Sequence, residues 1–281
     1  MPEVARGGDF GDTNLLIARL SGHRWVHRVV AALSVYRIAG PVLNRLPIQR
    51  RIKPSGLVYR ITSLDQFGIA DELFAQKTYA AALNLPPINA LVDLGCNAGW
   101  FALWLAAEQP NPKRVGLLVD ANQRMVREAQ WHMARNGLEH HSVVFGAVGL
   151  PPDTSAAVFH VLPSASQSSL LEHNSDVQLP VKGRITDVTV PAVSVGREWR
   201  THFGDTTVDL LKLDIEGNEL DFIRYEGEFL SEKVRAILLE WHKWHVSLAE
   251  VDAAFHTLGF ARRATYAEND LTGIALFQAT G

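Results

Sequence analysis

Leu91-Val92-Asp93-Leu94-Gly95-Cys96-Asn97-Ala98-Gly99-Trp100 is the stretch that decides the fold. The apolar run Ala90 to Val92 predicts a buried strand, with Asp93 at its end. Two glycines follow, and then apolar residues recur at helical spacing (Phe101, Leu103, Leu105, Ala106). Glycine serves two needs in such a turn: the chain reverses tightly from strand into helix, and a ligand can approach bare backbone. The helix N-terminus presents N–H groups suited to an anionic group such as a carboxylate. Asp93, at the carboxyl end of the strand, is placed to accept hydrogen bonds from a cationic or hydroxyl-bearing ligand.

The spelling Asp93-x-Gly95-x-Asn97-x-Gly99 differs from the dinucleotide fingerprint G-x-G-x-x-G, which Cys96-Asn97-Ala98 breaks. It resembles motif I of S-adenosylmethionine-dependent methyltransferases of Rossmann-like fold. About 20 residues beyond the last glycine, the apolar run Val115 to Val119 ends at Asp120. One strand–helix–strand unit returns to the same sheet edge over that distance, so a carboxylate there can hold both hydroxyls of a ribose. Helix Gln123 to Arg135 closes at Asn136-Gly137, a C-cap signal. The third strand, Ser142 to Phe145, runs into Gly146-Ala147-Val148-Gly149, where small residues suit either an adenine ring against the backbone or a plain turn.

Bulk properties narrow the function classes. The chain has 281 residues, 47% hydrophobic and 20% charged, which fits one α/β domain with an N-terminal extension. A net charge of −3 without a basic block argues against nucleic acid as the partner. Cys96 is the single cysteine, so no intrachain disulfide or thiolate zinc cluster is available, and it reads as a small residue filling a tight turn. No apolar run reaches the roughly 18 residues of a membrane span. Residues 1–11 lack an apolar signal region, so a cytoplasmic location is expected.

The remaining segments fit around this centre. Apolar spacing between Thr13 and Ala39 predicts two helices, packed on the core or on a second copy in a homodimer. Pro47 to Pro54 reads as a linker, which sets the domain boundaries at 1–54 and 55–281. Leu57 to Ile61 reads as a strand, and Ser63-Leu64-Asp65 as a helix cap in a preamble of the kind that often supplies a lid. Residues 150–205 carry strands at Val158 to Val161 and Ile185 to Val190 around the polar tract Ser164 to Ser169, as in a substrate-facing hairpin or a surface loop. Strand Val208 to Leu213 bears Lys212 in its interior, which calls for acidic partners. Asp214 leaves that strand, and Glu216-Gly217 turns into a helix. Val234 to Leu239 is the fifth strand, ending Glu240-Trp241-His242. Arg262 to Tyr266 and Gly273 to Phe277 predict a closing antiparallel hairpin.

Leu91-Val-Asp-Leu-Gly-Cys-Asn-Ala-Gly99, Leu210-Leu-Lys-Leu-Asp-Ile-Glu-Gly-Asn-Glu219 and Leu239-Glu-Trp-His242 together resemble the FkbM family of methyltransferases, over about Ser55 to Phe277. Val195-Gly196 stands where that family usually has Leu-Asp. The resemblance implies a Rossmann-like class I methyltransferase fold, with a seven-stranded, mostly parallel sheet and a C-terminal antiparallel hairpin. It implies S-adenosyl-L-methionine as cofactor, with methyl transfer to a hydroxyl of a sugar or natural product, or in some members to a peptide amide nitrogen. Asp93, Gly95, Asn97 and Gly99 would then line the methionine and ribose portion, Asp120 would hold the ribose, and Ala147 and Val148 would flank the adenine.

In a doubly wound sheet, ligands sit outside the carboxyl ends of the strands. Asp214, Glu216, Glu240 and His242 should therefore meet beside the methyl donor as the catalytic candidates. His242 is the first choice for a base because imidazole titrates near neutrality. Asp214 would orient the acceptor or act as the base, while Glu216 and Glu240 would share that work or pair Lys212 and cap helices. The same four residues could make an oxygen/nitrogen site for a divalent ion, although sequence fixes no such geometry, and no metal is assigned. The partner expected is a small-molecule or peptide acceptor, with no membrane partner. The rival readings are a non-catalytic S-adenosylmethionine-binding protein and an NAD oxidoreductase, the latter disfavoured by the broken glycine pattern.

Overall fold

The structure is a computed structural model that describes residues 42–43, 45–161, 170, 186–266 and 268–281. The helices expected between Thr13 and Ala39 and the polar tract Ser164 to Ser169 lie outside the described residues.

In chain order the elements are β1 (Ile48–Arg51), β2 (Val58–Ile61), α1 (Asp65–Ala70), β3 (Ala90–Leu94), α2 (Trp100–Glu108), β4 (Val115–Asp120), α3 (Gln123–Arg135) and β5 (His141–Phe145). There follow β6 (Ala156–Val161), β7 (Thr186–Pro191), α4 (Val195–Phe203), β8 (Leu210–Leu213), α5 (Glu219–Tyr225), α6 (Gly227–Lys233), β9 (Ala236–His242), α7 (Leu248–Thr257), β10 (Phe260–Tyr266) and β11 (Thr272–Ala279).

Seven strands form one sheet in the order β10-β11-β9-β8-β3-β4-β5. The five from β9 to β5 run parallel, and β11 and β10 add antiparallel at one edge. This is the expected doubly wound architecture with its closing hairpin. Strand alternation divides the core in two. Val92, Leu94, Leu211, Leu213, Ile237 and Leu239 pack on one face, with Trp199, Phe222 and Phe255 from the helices. Leu91, Leu210 and Leu238 point the opposite way, against α2 and the preamble. Helix α2 reads Trp-Phe-Ala-Leu-Trp-Leu-Ala-Ala-Glu and is buried from Trp100 through Ala106, as an all-apolar helix must be.

Two local expectations change. The linker expected at Pro47 to Pro54 contains β1, which pairs antiparallel with β2 in register Ile48↔Ile61, so this hairpin straddles the boundary drawn at residue 54. Its polar sequence, Ile-Gln-Arg-Arg, hides the strand because only one side of a two-stranded ribbon is covered. The expected Ser63-Asp65 cap is displaced: Leu64 is the N-cap without a side-chain bond, and Asp65 lies inside the first turn. Strands β6 and β7 are present and pair antiparallel with each other in a separate two-stranded sheet, in keeping with the hairpin reading of this segment. Val195-Gly196 opens α4, where both backbone N–H groups donate to Glu226, at 2.7 and 3.1 Å. Among the described residues no helix is long and apolar enough to cross a membrane.

Candidate active site

A cavity of about 520 Å3 opens at the carboxyl ends of the parallel strands. Gly95, Asn97, Asp120, Ala147 and Val148 line one end, and Asp214, Glu216 and Glu240 the other. Eight of the eleven residues singled out in the sequence thus share one cavity. Asp93, Gly99 and His242 are not on its wall.

The glycine turn is held by backbone approach. Gly95 has φ +69°, and a Cβ there would lie 1.7 Å from the Asp214 carbonyl oxygen, so the two loops meet only because Gly95 has no side chain. Asn97 is also left-handed (φ +50°), and its side-chain oxygen accepts from the Ala98 N–H at 2.7 Å. That conformation turns the Asn97 N–H onto Asp120 Oδ2 at 2.7 Å, while Asp120 Oδ1 accepts from the Asn122 N–H at 2.7 Å. Burial pushes the Asp120 carboxyl up to about 6, against the lowering effect of those two hydrogen bonds. The Asn218 side-chain amide donates to the carbonyls of Val148 (3.1 Å) and Gly149 (2.8 Å), tying the loop after β5 to the turn after β8.

Gly99 works elsewhere. It is the left-handed N-cap of α2, and a Cβ would press on Ala129 and Leu118 at 3.1 and 3.2 Å, so it sets helix–helix and helix–sheet distance. Asp93 shares the preamble face with Leu91, and it is fully buried. Parallel register sets Asp93 beside Lys212. The Lys212 ammonium donates to Asp214 Oδ2 at 2.8 Å and lies 3.8 Å from Asp93 Oδ1. Burial raises the Asp93 carboxyl to about 6 in spite of that lysine. Burial opposes the charge on Lys212 as well, yet Asp214 and Asp93 outweigh it and raise its pKa. Asp93 is therefore a buried counter-charge to Lys212, off the cavity wall, with no hydrogen bond to either carboxylate oxygen among the described residues.

Lys212 finds the acids demanded for it, but they are Asp214 and Asp93; Glu240 instead accepts the Tyr79 hydroxyl at 2.6 Å. Burial pushes the Glu216 and Glu240 carboxyls upward, with the Asp214 charge adding to each. His242, 3% exposed, stands behind the wall. Its Nδ1 is 2.8 Å from Glu219 Oε1, and its Nε2 is 3.2 Å from Glu216 and 3.9 Å from Asp214. Burial disfavours the imidazolium, but the Glu219 hydrogen bond and the surrounding carboxylates hold it to about pH 10. His242 is thus an ion-paired ring behind the cavity wall, set between Glu219 on one side and Glu216 and Asp214 on the other. Cys96 lines the cavity with its thiol pKa raised by burial, and it reads as a filler, as expected.

Sequence reasoning missed Glu72, Tyr79, Phe159 and Glu219. The preamble residues Glu72 and Tyr79 and the hairpin residue Phe159 line the cavity, so these segments form its far walls. Glu219 is fully buried, and its Oε1 also accepts from the Gly217 N–H at 3.0 Å. The one available signal was Glu219 itself, an acid directly after a strand-end turn; for Tyr79 no local pattern exists.

The chain matches the Methyltransferase FkbM domain over residues 93–262. It belongs to the FkbM methyltransferase family. FkbM methyltransferases are S-adenosylmethionine-dependent, and this chain is an S-adenosylmethionine-dependent methyltransferase. The half-buried Asp120 carboxylate and the side-chain-free Gly95 turn fit a nucleoside and its amino-acid tail. No curated protein matches the sequence. Among solved structures, it is similar to an S-adenosylmethionine-dependent methyltransferase from Aquifex aeolicus (13% identity, 75% of this chain and 93% of that one, TM-score 0.43). It is also similar to a human methyltransferase 10 domain containing protein (12%, 89% and 96%, TM-score 0.47). A third is an O-methyltransferase from neocarzinostatin biosynthesis (14%, 77% and 57%, TM-score 0.45).

Proposed function

We propose that this FkbM methyltransferase methylates a hydroxyl oxygen of a sugar or natural-product acceptor. The observation that carries the reading is the cavity that joins the Gly95–Asp120 end to three carboxylates, Asp214, Glu216 and Glu240. S-adenosylmethionine supplies an electrophilic methyl group when bound. Gly95 and Asn97 would hold its amino-acid tail, Asp120 would accept from its ribose hydroxyls, and Ala147 and Val148 would flank its adenine. Hydroxyl acceptors need hydrogen-bond acceptors to orient them and a group to take the proton. Asp214, fixed by Lys212, orients the acceptor O–H. Glu216, on the cavity wall, takes the proton, and His242 and Glu219 position it from behind.

Labelled methyl transfer tests this reading. A panel of glycosides and hydroxylated natural products should be labelled from methyl-tritiated S-adenosylmethionine, and Glu216→Gln should remove most turnover with cofactor affinity kept. Label found only on amide nitrogens of a peptide panel would replace the hydroxyl reading with N-methylation.

A further inference from the structure

Acids outnumber bases around the inner end of the cavity. Among the described residues, Asp93, Asp214, Glu216, Glu219 and Glu240 have Lys212 and His242 as their basic neighbours. Glu72 adds a further carboxylate to the cavity lining, its pKa raised by burial, by the Asp71 charge and by the Asp214 charge. Acids packed this way in a buried site call for a cation.

We propose that Asp214, Glu240 and His242 form a binding site for a divalent cation of the Mg2+ or Mn2+ class. One ligand atom from each of these residues lies within 4.8 Å of the others. Each ligand is fixed from outside the cluster by a different residue: Asp214 Oδ2 by the Lys212 ammonium (2.8 Å), Glu240 Oε2 by the Tyr79 hydroxyl (2.6 Å), and His242 Nδ1 by Glu219 Oε1 (2.8 Å). Outer contacts of this kind orient metal ligands and select the ring nitrogen that binds.

A second observation points the same way. The His242 side chain is 4% exposed, yet its Nε2 is turned toward the cavity acids and makes no hydrogen bond among the described residues. Glu216 and Asp214 face it at 3.2 and 3.9 Å. A divalent ion held between Asp214, Glu240 and His242 offsets two units of the surrounding negative charge. Two carboxylates and one imidazole suit a hard or borderline divalent ion, with the remaining positions open to water or to an acceptor oxygen. A hydroxyl on the ion would lose its proton more readily, and Glu216 stands beside His242 to receive it.

The site stands on its own geometry; only its use in holding the acceptor oxygen rests on the hydroxyl reading above. The test is Mn2+ titration of the metal-stripped full chain, with S-adenosylhomocysteine present, reading free ion by electron paramagnetic resonance. One Mn2+ per chain is expected, displaced by Mg2+. Asp214→Asn should weaken it at least about tenfold, and Glu219→Gln, acting through His242, by about 10–100-fold. The exposed change Asp221→Asn should leave it unaltered. Should Asp214→Asn fail to fold, Glu240→Gln carries the same expectation. Wild-type protein that takes up S-adenosylhomocysteine but no Mn2+ up to ~1 mM overturns the site and leaves hydroxyl methylation standing. Mn2+ binding that survives both Asp214→Asn and Glu240→Gln overturns it equally. Tight Mn2+ binding beside label found only on amide nitrogen keeps the site and removes the hydroxyl reading.

Discussion

Lys212→Met removes the one ammonium between Asp93 and Asp214, and the structure sets both the size and the pH dependence of the loss. The Asp93 carboxyl stands at about 6 instead of 3.8, so folding it ionised near pH 7.5 already costs about 3 kcal/mol. Without the lysine its pKa climbs further, until protonation limits the cost. At pH 7.5 that limit is about 5 kcal/mol, the work of protonating a carboxyl of ordinary pKa, leaving roughly 2 kcal/mol for the variant to lose here. Asp214 also loses a charged hydrogen bond of 2.8 Å, worth about 1.5–3 kcal/mol. The sum, about 3–5 kcal/mol, agrees with the usual cost of breaking a buried pair. The sign follows from a folded-state pKa raised above the unfolded one. The Asp93 penalty is absent below the unfolded value and grows as pH rises through the folded one. At pH 5.5 wild type and variant both carry Asp93 largely protonated, so the gap between them should shrink by about 2 kcal/mol. Urea unfolding of both proteins at pH 7.5 and 5.5 measures this. A gap under ~1 kcal/mol at pH 7.5, or one of equal size at both pH values, refutes the reasoning.

Three further outcomes are expected. S-adenosylhomocysteine affinity, measured calorimetrically, should fall about tenfold per pH unit below pH 6 as Asp120 takes up a proton and can no longer accept from both ribose hydroxyls; Asp120→Asn should be weak throughout, with no such slope. Gly95→Ala sets a Cβ 1.7 Å from the Asp214 carbonyl at φ +69°, so cofactor binding should be lost and the melting temperature lowered, and a variant binding as wild type does would contradict the loop contact. Tyr79→Phe deletes the hydroxyl bound to Glu240, which should cost about 1–3 kcal/mol of stability and leave S-adenosylhomocysteine affinity unchanged in the same titration.

The sequence by itself determined the strands of the seven-stranded sheet, the glycine turn and an acid at the end of the following strand. Those features depend on residues a few positions apart: an apolar run, a left-handed turn that needs Gly95, and an acid one strand–helix–strand unit later at Asp120. It also required acids around Lys212, since a charged side chain inside a buried strand must be paired. Only the tertiary structure decided which acids they are. Asp93 and Lys212 meet through the register of β3 and β8, and Glu240 is taken instead by Tyr79, 161 positions earlier in the chain. The same packing made His242 a buried, ion-paired ring, because Glu219, Glu216 and Asp214 surround it where the turn after β8 meets the end of β9. Spacing along a chain fixes which way a side chain faces in its own element. Its charge and its role depend on what other elements bring against that face, and those contacts form only when the sheet and its preamble pack together.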